Sequence, residues 1–427
     1  MFSARGSTFG KKGRMQTPQN LKSQILNPKS EIPGVPKGFL LAGVHCRIKG
    51  DPRKQDLALM VSETPATAAG VYTQNLVHGA PVALNRRRTP SDRIRAVVVN
   101  SGVANACTGQ RGLRDAEQMA RLAAAACGAE EDQVLVLSTG VIGAFLPMDK
   151  IAQGITAAAA GLASNEAALI SAARGMMTTD TVHKLAGRSL ELSGRQIRIT
   201  GLAKGAAMMG PNMATMLAVI LTDAALLPEA AQAALAAAAD ESFNCISVDG
   251  HMSTSDTALL LANGQAGGEP LCGDDLAGFR RGLGEVCVEL ARAIPADGEG
   301  ATHLISIEVC GCANRQSARQ IAKTVANSPL VKTAIAGADP NWGRIVSAAG
   351  YAGVPFDPAG VTLRINGFLL YEGGTPVSFD ARAVSESIRS HRDTLVELAL
   401  REGEAHTRFW TSDLTAEYVR LNADYHT

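Results

Sequence analysis

The sequence predicts an α+β protein of layered sheets and helices, and three observations carry that prediction. Short apolar runs of strand length alternate with longer helical stretches. Alanine-rich segments supply small helix faces, and after about residue 300 strand and helix candidates form an α+β unit of their own. At 427 residues the chain exceeds what one hydrophobic core usually supports, so two domains are expected. The expected division is a basic tail over 1–32, a large domain over 33–300 and a smaller C-terminal domain over 301–427.

Taken in order, residues 96–99 and 134–137 are apolar runs with polar flanks and read as buried strands. The stretch 115–127 reads as a helix stopped by Gly128, because glycine enters the left-handed cap conformation without a Cβ penalty. A second helix spans 149–162. Gly210-Pro211-Asn212 is strong turn punctuation, since proline presets φ and its neighbours tolerate positive φ. It feeds an apolar, strand-forming run over 213–221. Pro228 opens a helix to Ala239, at a position where its missing N–H costs little. A helix over 275–292, a strand over 304–309, a helix over 315–325 and a strand over 361–366 complete the order. No internal repeat or heptad is evident.

Charge and composition exclude several classes of partner. With 41 basic against 40 acidic residues, a net charge of +1 and 4% aromatics, nothing favours nucleic acid or an anionic membrane surface. The alanine-rich stretch 233–239 falls well short of the roughly 18 apolar residues a membrane helix needs. Eight cysteines lie scattered without Cys-x-x-Cys spacing, which argues against a zinc site or a disulfide framework and suggests that most are buried small apolar residues. Cys310-Gly-Cys312 reads as a strand end and turn. Up to Ser30 the chain carries six basic residues and no acid, and lacks a signal peptide's apolar core. A mitochondrial presequence is one reading of that stretch; a disordered tail on a bacterial cytoplasmic protein is preferred, because Gly and Pro interrupt any amphipathic helix.

The chemistry concentrates at Lys204-Gly-Ala-Ala-Met-Met-Gly-Pro-Asn-Met-Ala-Thr-Met-Leu217, where a turn meets an apolar run and one hydroxyl, Thr215, is held at the junction. By local chemistry alone a threonine beside a turn usually caps a backbone group. The segment, however, closely resembles the Lys-Gly-x-x-Met-x-x-Pro-Asn-Met-Ala-Thr-Met-Leu signature of the ornithine acetyltransferase family of arginine biosynthesis, also called bifunctional glutamate N-acetyltransferase. The resemblance implies that the chain cuts itself between Ala214 and Thr215, giving an α chain of 1–214 and a β chain of 215–427. A threonine hydroxyl is a poor nucleophile until a base takes its proton, and a freed α-amino group has a pKa of about 7.7 to 8.0. Cleavage thus creates a base on the same residue as the nucleophile, acting directly or through one water.

Further blocks extend the resemblance along nearly the whole chain. Val97-Val-Val-Asn-Ser-Gly-Val-Ala-Asn-Ala matches the family's Asn-Ser-Gly-Asn-Ala-Asn-Ala block except at Val103. In Ser138-Thr-Gly-Val-Ile-Gly143 the family places its oxyanion hole, which implies Thr139 and Gly140 as donors. Without the family, this would be an ordinary glycine-bearing loop able to face an anion. Thr178-Thr-Asp-Thr-Val-His-Lys184 matches the family's Thr-Thr-Asp-Thr block, which implies one threonine that contacts substrate; family spacing favours Thr178, with Thr179 and Thr181 as alternatives. Asp297-Gly-Glu-Gly implies Glu299, and the terminus 418–427 implies Asn422 and Thr427, so that a functional tail must be ordered. Lys204 suits a substrate carboxylate and Glu299 an ammonium; a solvated lysine and an exposed loop acid are the plainer alternatives. Departures within the signature are Ala206-Ala207 for Ser-Gly and Gly210 for Ala.

The implied fold is a self-processing, N-terminal-nucleophile-like large domain with the smaller C-terminal unit. The implied reaction moves acetyl from N2-acetyl-L-ornithine to L-glutamate through an ester on Thr215, with ping-pong kinetics and no cofactor; acetyl-CoA stays open as a co-substrate. Partners are small amino-acid substrates, and two α and two β chains assemble. Competing readings are a self-processing aminopeptidase or amidohydrolase, a noncatalytic amino-acid-binding protein, and a metal-dependent hydrolase using Asp249, His251 and Asp256 in the block 247–257. Asp339, Asn341 and Arg344, in a second matching block, could hold a turn. His183 and His303 are expected to make local hydrogen bonds instead of serving as general bases.

Overall fold

The structure is a computed structural model that describes residues 33–208, 210 and 216–424. The basic tail, the turn residues Pro211 and Asn212, the predicted cleavage pair Ala214 and Thr215, and Thr427 lie outside the described residues.

Among the described residues, nine strands precede residue 300: β1 Phe39–Val44, β2 Leu57–Tyr72, β3 Ser91–Val103, β4 Val134–Val141, β5 Lys184–Leu192, β6 Arg195–Lys204, β7 Leu217–Thr222, β8 Ile246–Ser247 and β9 Thr257–Ala262. All but β8 join one sheet in the order β4-β3-β2-β9-β7-β6-β5, with β1 paired to β2. The later strands β10 Leu304–Cys312, β11 Thr362–Ile365, β12 Phe368–Glu372, β13 Thr375–Pro376, β14 Asp393–Ala399 and β15 Ala405–Ser412 form a second sheet, ordered β13-β12-β11-β14-β10-β15-β8.

In the first sheet β7 and β9 run parallel, Leu217 opposite Thr257, and β6 pairs antiparallel to β7, Lys204 opposite Leu217. β7 is apolar at nearly every position because it is buried on both faces. Leu217, Val219 and Leu221 pack toward the helix Glu166–Met176, while Ala218 and Ile220 pack toward the helices Pro228–Glu241 and Gly273–Ala296. The last helix is shared between the sheets: Val286, Leu290 and Ile294 belong to one apolar cluster with Ile220 of β7 and Ile305 and Ile307 of β10. At about 1.5–3 kcal/mol for each buried large aliphatic side chain, this shared seam ties the sheets together.

Most expected elements are present with shifted ends. The helix expected from 115 begins at Gly109, because Gln110 to Arg114 extend the same amphipathic stripe; it stops at Gly128, whose φ is 63°. The run 213–221 becomes a strand from Leu217. Cys310-Gly-Cys312 is the end of β10, where the register against β15 shifts between Val309 and Cys312. The cysteines are less buried than composition suggests: Cys46, Cys245, Cys287 and Cys312 are buried, Cys107, Cys272 and Cys310 exposed, and all are free thiols. Among the described residues no helix is long and apolar enough to cross a membrane.

Candidate functional site

Three strand ends converge beside the loop that joins β6 to β7. β4 runs out through Thr139 and Gly140, opposite Gly102 of the parallel β3. Gly140 has φ 133°, and a Cβ there would lie 2.2 Å from the Gly102 carbonyl carbon, so glycine is required and the strands can close together. β6 ends at Lys204, which is only 2% exposed. Its Nζ donates to Thr139 Oγ1 at 3.3 Å, its one hydrogen bond among the described residues. Having accepted there, the Thr139 hydroxyl keeps its own hydrogen for a ligand. The expectation of a solvated lysine at 204 is thereby excluded.

A buried ion network fixes the surrounding loops. Lys184 Nζ lies 2.7 Å from Asp180 Oδ1 and 2.8 Å from Asp297 Oδ2, with all three side chains shielded from solvent. Asp180 also accepts from the backbone of Gly205 at 2.6 Å and of Thr178 at 3.0 Å. Asp297 accepts from both the amide and the hydroxyl of Thr181. The network therefore pins the threonine loop, the start of the 205–216 loop and the turn that carries Glu299, whose amide donates to Ala206 O at 2.9 Å. Sequence reasoning quoted these residues within matching blocks and gave them no role. No signal in the sequence marks the trio: Asp180 and Lys184 stand among threonines and a histidine, and only the fold buries and pairs them.

The electrostatics follow from burial and these pairs. Burial alone would raise the Asp180 carboxyl, but the ammonium groups of Lys184 and Lys204 hold it well below the usual carboxylate range. Burial alone would lower Lys184, and the two carboxylates carry it above its ordinary value instead. Lys204 is compensated only in part: burial pushes its pKa down, and the attraction of Asp180 and of the more weakly acting Asp256 and Glu299 does not fully offset this.

One cleft gathers Thr139, Gly140, Thr178, Thr179, Lys204, Glu299 and Asn422, with Ser253, Thr254 and Ser255 on its wall. Of the three threonine candidates, Thr181 is occupied with Asp297, while Thr178 and Thr179 face the cleft. Asn422, on the helix Ala416–Asp424, donates to Glu299 Oε2 at 2.8 Å. Tyr418 of the same helix donates to Asp249 Oδ2 at 3.3 Å, the oxygen that also receives the Met208 amide at 2.7 Å. The C-terminal helix is thus docked over the cleft on two carboxylates. Gly210 packs tightly as well: a Cβ there would fall 2.5 Å from the Gly250 carbonyl, which accounts for glycine at that departure from the signature. Two larger hollows, of about 610 and 790 Å³, border Arg408 and Trp410 of the second sheet; none of the expected site residues lines them.

The metal reading finds no matching geometry. Asp249 receives Met208 and Tyr418, His251 is exposed, and Asp256 is fully buried. Among the described residues no group of three His, Cys, Asp or Glu side chains is arranged to hold an ion. His303 makes local bonds as expected, to Asp413 Oδ2 and Ile388 O, each at 3.1 Å.

A buried ammonium and hydroxyl donors on one side, and a carboxylate on the other, suit an acyl-transfer enzyme that handles amino-acid substrates. The chain belongs to the ArgJ family, whose model matches residues 40–427. It is 46% identical over 396 residues to the arginine biosynthesis bifunctional protein ArgJ of Rhodopirellula baltica, covering 92% of this chain and 96% of that protein. It is also 46% identical over 393 residues to the protein of the same name from Geobacter sulfurreducens, covering 92% and 99%. Among solved structures, the arginine biosynthesis bifunctional protein argJ of Bacillus halodurans aligns with a TM-score of 0.47 and 39% identity over 48% of this chain and 96% of that one. An ornithine acetyltransferase of Mycobacterium tuberculosis complexed with ornithine aligns with a TM-score of 0.40 and 40% identity over 42% and 95%.

Proposed function

We propose that this chain is an acetyltransferase of arginine biosynthesis that activates itself by cleavage between Ala214 and Thr215. The freed Thr215 takes acetyl from N2-acetyl-L-ornithine as an ester, releases L-ornithine, and passes acetyl to L-glutamate to give N-acetyl-L-glutamate. The observation that carries this reading is the meeting of Lys204, Thr139, Thr178, Glu299 and Asn422 in one cleft, at the end of the strand that leads into the signature loop.

The residues divide the work by charge. Thr139, with its hydroxyl hydrogen uncommitted, and Gly140 face the developing oxyanion; one such donor is worth about 3–4 kcal/mol in other acyl-transfer enzymes. Lys204 holds the α-carboxylate common to donor and acceptor, and Glu299, oriented by Asn422, meets an ammonium. Thr178 and Thr427 add neutral hydroxyl contacts, which suits a pocket that accepts two substrates of different side-chain charge in turn. The general base is the α-amino group of Thr215, so the site needs no cofactor. Acetyl-CoA, as a second donor, would enter at the same ester. We place the enzyme in the cytoplasm as an assembly of two α and two β chains.

Incubating the purified protein with N-[14C]acetylornithine and excess glutamate tests the reading. Labelled N-acetylglutamate is the expected product; labelled acetate in its place assigns the chain to hydrolysis and removes the transferase.

A further inference from the structure

The lining of the cleft divides by chemistry, and its apolar part has no role in the reaction so far. Among the described residues, only Ala104, Ile142, Ala207 and Met208 bring apolar side chains to it; the rest are hydroxyl, amide and charged groups and one glycine. Ala104 and Ile142 stand beside the expected oxyanion donors. Ile142 follows Gly140 by two residues, so their Cα atoms are no more than about 7 Å apart.

The backbone of Ile142 is pinned on both sides. Val141 O accepts from the Ala104 amide at 2.9 Å, and the Gly143 amide donates to Ala106 O at 2.9 Å. A β-branched side chain on a fixed backbone has few rotamers open to it, so Ile142 forms a stiff wall. Its side chain is half-buried and lines the cleft, whereas Ala104 is 3% exposed. The strand ends leave no gap at this wall, since even a Cβ on Gly140 would fall 2.2 Å from the Gly102 carbonyl carbon. Ala207 brings a methyl group to the cleft where the signature frequently has glycine, and narrows it further.

The carbon that is attacked has four substituents, and their chemistry sorts them among these groups. The oxyanion turns to Thr139 and Gly140. The nucleophile supplies the second oxygen, and the leaving nitrogen carries the amino acid, with its carboxylate and ammonium, toward Lys204 and Glu299. The fourth substituent is the acyl chain, which is apolar. Against the hydroxyl walls it would strip water from polar groups and return no hydrogen bond, whereas against Ile142 only apolar surface is covered. We propose that Ile142 is the specificity-determining residue for the acyl group: the acyl chain of the donor lies against it, and its bulk limits that chain to two carbons. This rests on the acetyl transfer proposed above and names the acyl class that the transfer accepts.

The test compares N-acetyl-, N-propionyl- and N-butyryl-L-ornithine as donors to glutamate, with the purified protein, through the ratio of their kcat/KM values. In a ping-pong reaction this ratio reads acyl transfer to the enzyme alone. One methylene too many for an apolar pocket costs about 10–200-fold, so the wild type should use propionyl that much less well than acetyl, and butyryl less again. Ile142→Val removes one carbon and should raise the propionyl-to-acetyl ratio at least about tenfold, and Ile142→Ala should extend the gain to butyryl. A purely structural residue would lower all three donors together and leave the ratios where they were. Unchanged ratios in both variants, or a wild type that uses the three donors equally, overturn the assignment and leave the acetyltransferase reading intact. A wild type that transfers no acyl group overturns both. If circular dichroism shows that Ile142→Ala does not fold, Ile142→Val decides by the same ratio.

Discussion

Lys204 shows most clearly how one residue's surroundings set its chemistry. An ammonium that is buried, and bonded only to the Thr139 hydroxyl among the described residues, is held ready for an anion. Its lowered pKa has a definite sign: the charged form is lost as pH rises, and lost earlier than for an ordinary lysine of about 10.4. The KM for glutamate should therefore climb on the alkaline side below that value, in steady-state assays across pH, while Lys204→Met should raise KM at every pH and abolish that limb. Thr139→Val keeps the shape and removes the hydroxyl; a fall in kcat of about 10²–10³ is expected from the loss of one oxyanion donor. A Thr139→Val enzyme with unchanged kcat would remove Thr139 from the oxyanion site.

At the scale of elements, the site depends on loops being locked together by the Asp180–Lys184–Asp297 network. Breaking a buried pair by removing one partner leaves an uncompensated charge, so Lys184→Met should cost about 3–5 kcal/mol in denaturant unfolding. Asp180 and Lys184 also fix the pH dependence. The folded carboxyl titrates below its unfolded value of about 3.9, so its contribution is present above that pH and is lost as pH falls through the lower folded value. Lys184 titrates above its unfolded value of about 10.4, so its contribution is present below that pH and is lost as pH rises through the higher folded value. Melting temperature should accordingly hold across neutral pH as far as this network is concerned, and Lys184→Met should differ from wild type by a constant there. Helices were legible in the sequence where a punctuating residue marked an end, as at Gly128 and Pro228. β5, β14 and β15 were not, because their charged residues on one edge or face, such as Arg188 and Arg408, mask a strand whose stability comes from pairing with a distant neighbour.

For the whole molecule, the first sheet delivers the ends of β4 and β6 to the cleft, and the turn after the helix Gly273–Ala296 delivers Glu299. Spacing along the chain gave no hint that Thr139, Lys204 and Glu299 meet; the resemblance named them, and the sheet order explains the meeting. The ion network stayed hidden because burial and pairing are properties of the assembled fold. Docking of the helix Ala416–Asp424 on Glu299 and Asp249 completes the site from the far end of the chain, so Asn422→Ala should raise KM for both substrates with little change in stability, measured by steady-state kinetics beside thermal melts. Everything in this account turns on a chain that severs itself to expose a nucleophile and its base together. Intact mass and N-terminal sequencing of fully active protein test this directly: two polypeptides are expected, the second beginning at Thr215, and a Thr215→Ala chain should remain whole at 44.4 kDa and inactive. Full activity in a single unbroken polypeptide would contradict it.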